Sequence, residues 1–61
     1  MHIEFDVDFE ASEIAIIYDN STSLTVLFED PDHVIFKGFE KIDEEIVVEA
    51  IKSFAKKIIT V

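Results

Sequence analysis

Polar and apolar residues alternate through the first stretch of the chain. Ile3, Phe5, Val7 and Phe9 fall on one side of an extended segment, and Glu4, Asp6, Asp8 and Glu10 on the other. Period-two alternation with β-favouring apolar residues predicts a half-buried strand over 3–10. Ala11 and Ser12 make a weak turn, after which Ile14, Ile16 and Tyr18 carry the apolar side into a second strand. Asp19 to Ser23 is a polar cluster with strong turn chemistry. Leu24, Val26 and Phe28 mark a third strand, and Asp30-Pro31-Asp32 places proline where a type I turn favours it. His33 to Phe36 is a short fourth strand that Gly38 ends.

From Ile42 onward the period changes. Ile46, Val47, Ala50, Ile51, Phe54 and Ile58 recur at three- and four-residue spacing, which predicts a helix with one apolar stripe. Asp43 is the expected N-cap, with Ile42 and Val47 at the hydrophobic-staple positions. Glu44 and Glu45 in the first turn and Lys56 and Lys57 in the last both complement the helix dipole. The expected fold class is α+β: a four-stranded antiparallel meander with one C-terminal helix on one face, ββββα. A chain of 61 residues allows one domain, 1–61.

Short turns would set a register. Phe9, Ile14, Phe28 and Val34 form one rung of the helix-facing side, Val7, Ile16, Val26 and Phe36 the next, then Phe5, Tyr18 and Leu24. On the other side the rungs read Asp8, Ala15, Leu27, Ile35; then Asp6, Ile17, Thr25, Lys37; with Glu10, Glu13, Glu29 and His33 at one end. A sheet covered on one face by a helix ordinarily shows water a polar outer face. Here Ala15, Ile17, Leu27 and Ile35 make its middle apolar, with acids along strand 1, and an apolar centre with a charged rim has the composition of an interface.

Size sharpens that expectation. So short a chain buries only about 60 % of its unfolded surface and rarely gains more than roughly 3–5 kcal/mol from one core. It has no cysteine, so neither disulfides nor thiolate zinc sites can add to it, and only His2 and His33 offer imidazole. Oligomerisation, most simply a homodimer, is the expected compensation, with Ala15, Ile17, Leu27 and Ile35 as the self-association residues.

Charge narrows the partners. Fourteen acids stand against five lysines, a formal net charge of −9, and residues 1–36 contain no lysine or arginine. Such a surface excludes direct binding to nucleic acid or an anionic membrane, and suits a basic protein partner. Neither a charged-then-apolar leader nor an apolar run near ~18 residues is present, so a cytoplasmic protein that does not span a membrane is expected. Asn20-Ser21-Thr22 fits the glycosylation triplet, but without a secretion signal it is a turn.

Candidate chemistry is sparse. Asp6, Asp8 and Glu10 share one strand face at about 6.6 Å spacing. They begin like a calcium loop but lack its glycine and later glutamate, and a straight strand cannot wrap an ion. A pair of carboxylates can serve as acid and base, but nothing suggests a substrate pocket. The plainest account of the row is a solvated face, or a charged edge strand that resists aggregation. Beyond that, evenly spaced negative charges can imitate a phosphate backbone and so occupy the basic site of a nucleic-acid-binding protein. Glu4, Asp6, Asp8, Glu10 and Glu13 are the partner-binding candidates on that account. Glu29 and His33 are expected to pair across the fourth strand's turn. Ser12, Ser21, Ser23 and Ser53 have no histidine placed to activate them, and Gly38, the one glycine, cannot make a phosphate loop. No catalytic residue, metal or cofactor is expected. The chain reads as a non-enzymatic binding domain, an inhibitor or nucleic-acid mimic, with homo-oligomeric assembly as the alternative.

Overall fold

Strands β1 (Ile3–Asp8), β2 (Glu13–Tyr18), β3 (Thr22–Asp30) and β4 (His33–Lys37) pair in sequence order, each antiparallel to the next. A 3-10 turn (Phe39–Lys41) and helix α1 (Glu45–Ile59) follow, completing ββββα. The computed structural model describes residues 2–60. Central strands β2 and β3 supply the fully buried Ile14, Ile16, Leu24 and Val26, and α1 supplies Ile51 and Ala55. Alternate residues of these strands are enclosed while their neighbours are not, as period two requires.

The expected register holds between β3 and β4, whereas β1 against β2 and β2 against β3 are each displaced from the expected rungs by two residues. Val7, Ile14, Val26 and Phe36 align, and Phe5, Ile16 and Leu24 form the neighbouring rung. Turn chemistry is the cause. Asp8 Oδ1 accepts from the N–H groups of Glu10 and Ala11, both at 3.1 Å, and this ends β1 at Asp8. Phe9 and Glu10 therefore leave the strand. Phe9 is 62 % exposed, with its ring edge-on to Phe28. At the next turn Asp19 and Asn20 both take positive φ, 54° and 62°, so the chain reverses tightly and β3 begins at Thr22. A displacement of two keeps every side chain on its expected face, because the strand period is two.

Gly38 has φ +85°, and a Cβ there would lie 2.9 Å from the Ser23 carbonyl oxygen, so glycine is required. This bend directs Phe39 back under the helix, where it is buried and meets Phe36 edge-to-face at 5.3 Å. Lys52 Nζ lies 5.2 Å and 5.8 Å from the Phe36 and Phe39 ring centres, capping that end of the core with its charge over their faces.

Two expectations for α1 are corrected. Its N-cap is Glu44, not Asp43, and the cap makes no side-chain hydrogen bond. The helix is also rotated from the expected stripe. Ile51 and Ala55 are buried and Val47, Val48, Ile58 and Ile59 half-buried, while Ile46, Ala50 and Phe54 emerge on one flank. The methyl of Ala55 allows α1 to approach the sheet closely, and its main strand contact is with β3. Coverage is complete only over the central strands: Ile3, Phe5 and Val7 of β1 and Val34 and Phe36 of β4 are half-buried.

Candidate protein-binding surfaces

The sheet face opposite α1 carries the candidate residues in three rungs. Glu4 stands opposite Ile17, and Ile17 opposite Ser23. Asp6, Ala15, Thr25 and Lys37 form the middle rung, and Asp8, Glu13, Leu27 and Ile35 the last. Glu4, Asp6 and Asp8 are exposed in a row along edge strand β1. Glu13 lies beside this row, half-buried between Asp8 and Leu27, whereas Glu10 sits in the β1–β2 turn and is not part of it. Among the described residues no lysine forms an ion pair; the pairs present are His2 with Glu4 and His33 with Asp30. Among the described residues the row's one ion-pairing contact is that of His2 Nε2 with Glu4, at 2.9 Å.

The apolar candidates do not converge as the short-turn register implied. Leu27 and Ile35 face each other directly, with Ile35 58 % exposed. Ile17, 37 % exposed, lies level with Ser23, about 13 Å along the sheet from Leu27. Ala15 and Thr25, both half-buried, bridge the two along a diagonal. At the Leu27 end a shallow, open depression is bounded by Ala11, Ser12, Leu27, His33 and Ile35.

Glu29 is not the partner of His33. A register shift between Phe28 and Asp30 sets Asp30 opposite His33. Asp30 Oδ1 accepts from the N–H groups of Asp32 and His33, and the His33 Nδ1 lies 2.9 Å from Oδ2. The hydrogen bond from the His33 ring, with that from Asp32, holds the Asp30 carboxyl below its ordinary value. Tyr18, half-buried between Ile3 and Thr22, has its hydroxyl pushed up by partial desolvation and then by Glu44 and Asp19. Among the described residues no three His, Asp or Glu side chains converge as metal ligands, and no helix is long and apolar enough to cross a membrane.

A second surface was not singled out by the sequence pattern. Ala50 and Phe54 of α1 lie against Ile3 and Phe5 of β1, and together with Ile51 they line an open apolar depression. Ile46 continues the Ala50–Phe54 row one turn earlier and is 86 % exposed. The signal was present in the four-residue spacing of Ile46, Ala50 and Phe54, a row wide enough to extend past the part of the sheet that α1 covers.

Comparison with protein-family models, curated proteins and solved structures finds no match to this chain.

Proposed function

We propose that this chain is a non-enzymatic protein-binding domain whose acidic strand face occupies a basic site on a partner protein. The observation that carries it is the row Glu4, Asp6, Asp8, exposed on an edge strand with no lysine paired to any member among the described residues. Uncompensated like charges at regular spacing create a directional negative potential, which steers a basic partner into contact. Spacing of about 6.6 Å also approximates the step of a nucleic-acid backbone, so a nuclease, repair enzyme or repressor is the partner class, and inhibition the consequence. A cytoplasmic setting accords with a chain that has no cysteine.

Affinity capture from host extract tests this, comparing the parent with the double variant Asp6→Asn, Asp8→Asn. The side-chain amide introduced by Asp8→Asn keeps an oxygen to accept from Glu10 and Ala11, so the turn survives while the charge is lost. The parent is expected to retain a basic protein that elutes with rising salt, and the variant to associate with it more slowly at low salt. Unchanged association kinetics would remove the acidic row from the contact.

One observation favours self-association as a second role. Leu27 and Ile35 form a directly opposed, partly exposed apolar pair on the uncovered face. A homodimer burying this pair would be two-fold, the patch meeting its own copy with β1 outside the contact, since unpaired carboxylates are costly to bury.

A further inference from the structure

Strand β1 is a free edge of the sheet. Asp19 donates its N–H to the His2 carbonyl at 2.6 Å, which makes the even-numbered residues of this ladder the ones bonded to β2. The N–H and C=O groups of Ile3, Phe5 and Val7 therefore point outward, with no backbone partner among the described residues. On the helix side of this edge lies the apolar depression of Ile3, Phe5, Ala50 and Phe54, with Ile46 beyond it. On the opposite side stand Glu4, Asp6 and Asp8.

We propose that β1 takes up an extended segment of a basic partner protein as a fifth strand, antiparallel to β1. Strand addition supplies affinity through main-chain hydrogen bonds, and specificity through the pockets for alternate side chains. Directly opposed residues of paired strands share a face. Residues of the incoming segment opposite Ile3, Phe5 and Val7 would thus enter the groove beside Phe54, and must be apolar. Those opposite Glu4 and Asp6 would lie against the carboxylates, and must be Lys or Arg. The segment recognised is one in which apolar and basic residues alternate.

Charge selects this occupant over the same edge strand of a second copy of the chain. With Phe5 opposite Phe5 in an antiparallel pairing, Glu4 would stand opposite Asp6; a parallel in-register pairing would align each acid with itself. Like charges directly opposite are destabilising, so this edge repels the same edge of another copy and attracts a basic strand. This site rests on the protein-binding reading of the acidic row and gives that row a backbone partner.

The test uses the full chain, isotope-labelled for NMR, and three synthetic peptides of about nine residues. The first alternates lysine with valine. The second has the same composition in blocks of lysine and valine. The third is the alternating peptide N-methylated at its valines, the residues whose N–H groups would face β1. The alternating peptide is expected to bind at least about ten-fold more tightly than the other two and to slow amide exchange at Ile3, Phe5 and Val7. Equal binding by all three, with shifts centred on Glu4, Asp6 and Asp8, overturns strand addition and leaves the acidic surface as a binding face. Protection along His33–Lys37 instead would move the site to the other edge and overturn the proposal. Absence of binding by any peptide at low salt overturns it and counts against the acidic-surface reading as well.

Discussion

Phe5 of β1 and Phe54 of α1 meet with ring centres 4.9 Å apart and planes inclined at 35°, yet Phe54 keeps 53 % of its surface in solvent. The contact closes the helix onto the edge strand from one side only. Phe54 is therefore half core and half surface, whereas the centre of the expected stripe belongs to Ile51.

This rotation predicts an order of stabilities. Ile51→Ala should cost roughly 2–5 kcal/mol, the range for emptying a buried aliphatic site. Phe54→Ala should cost only roughly 1–2 kcal/mol, because about half of the ring's apolar area is already in water. Against a total of roughly 3–5 kcal/mol, the first variant should be largely unfolded and the second should retain a cooperative melt. Denaturant midpoints check the order, and equal losses would mean that Phe54 is enclosed.

Gly38→Ala places a side chain at φ +85°, against the Ser23 carbonyl. Left-handed strain of this kind costs about 1–3 kcal/mol, to which the close approach adds. The expected result is a lower unfolding midpoint at unchanged m-value, accompanied by lost packing of Phe39. A variant with the parent's midpoint would show that the turn relaxes without disturbing the core.

The β3–β4 turn should register pH through Asp30. Its carboxyl lies below the ordinary value when folded, so the stability it contributes is complete above the unfolded aspartate value, about 3.9, and is lost as pH falls through the lower folded value. Carboxyl-carbon NMR titration should show Asp30 titrating below an ordinary aspartate. His33→Ala should raise it, since the ring hydrogen bond is the largest cause of the shift. An unchanged Asp30 titration in that variant would assign the shift to the turn's backbone donors.

Leu27→Glu should abolish self-association and leave the helix-side core in place, because Leu27 faces away from α1 opposite Ile35. Sedimentation equilibrium at micromolar concentration reads both proteins. A parent of monomer mass rules out the assembly and leaves the Leu27–Ile35 pair as exposed surface.

The order of elements was legible in the sequence because each signal is local. Alternation at period two marked the strands and assigned Glu4, Asp6, Asp8, Ala15, Ile17, Leu27 and Ile35 to one face, an assignment that survives any even displacement of register. Register itself was not legible. It depends on whether Asp8 turns its carboxylate onto the Glu10 and Ala11 amides, and on whether Asp19 and Asn20 enter the left-handed region. Those choices moved Glu10 off the strand and separated Ile17 from Leu27, while an irregularity between Phe28 and Asp30 exchanged Glu29 for Asp30 beside His33. Nor could the stripe Ile46 to Ile58 say which of its flanks would be enclosed. Any sector of a wide apolar stripe can face a sheet, and the contacts that decide among them come from residues distant in the chain: Leu24 and Val26 on β3, and Phe39 brought underneath by Gly38. The groove beside β1 exists because that packing encloses Ile51 and Ala55 over the central strands and leaves Ile3, Phe5 and Phe54 partly uncovered at the edge of the sheet.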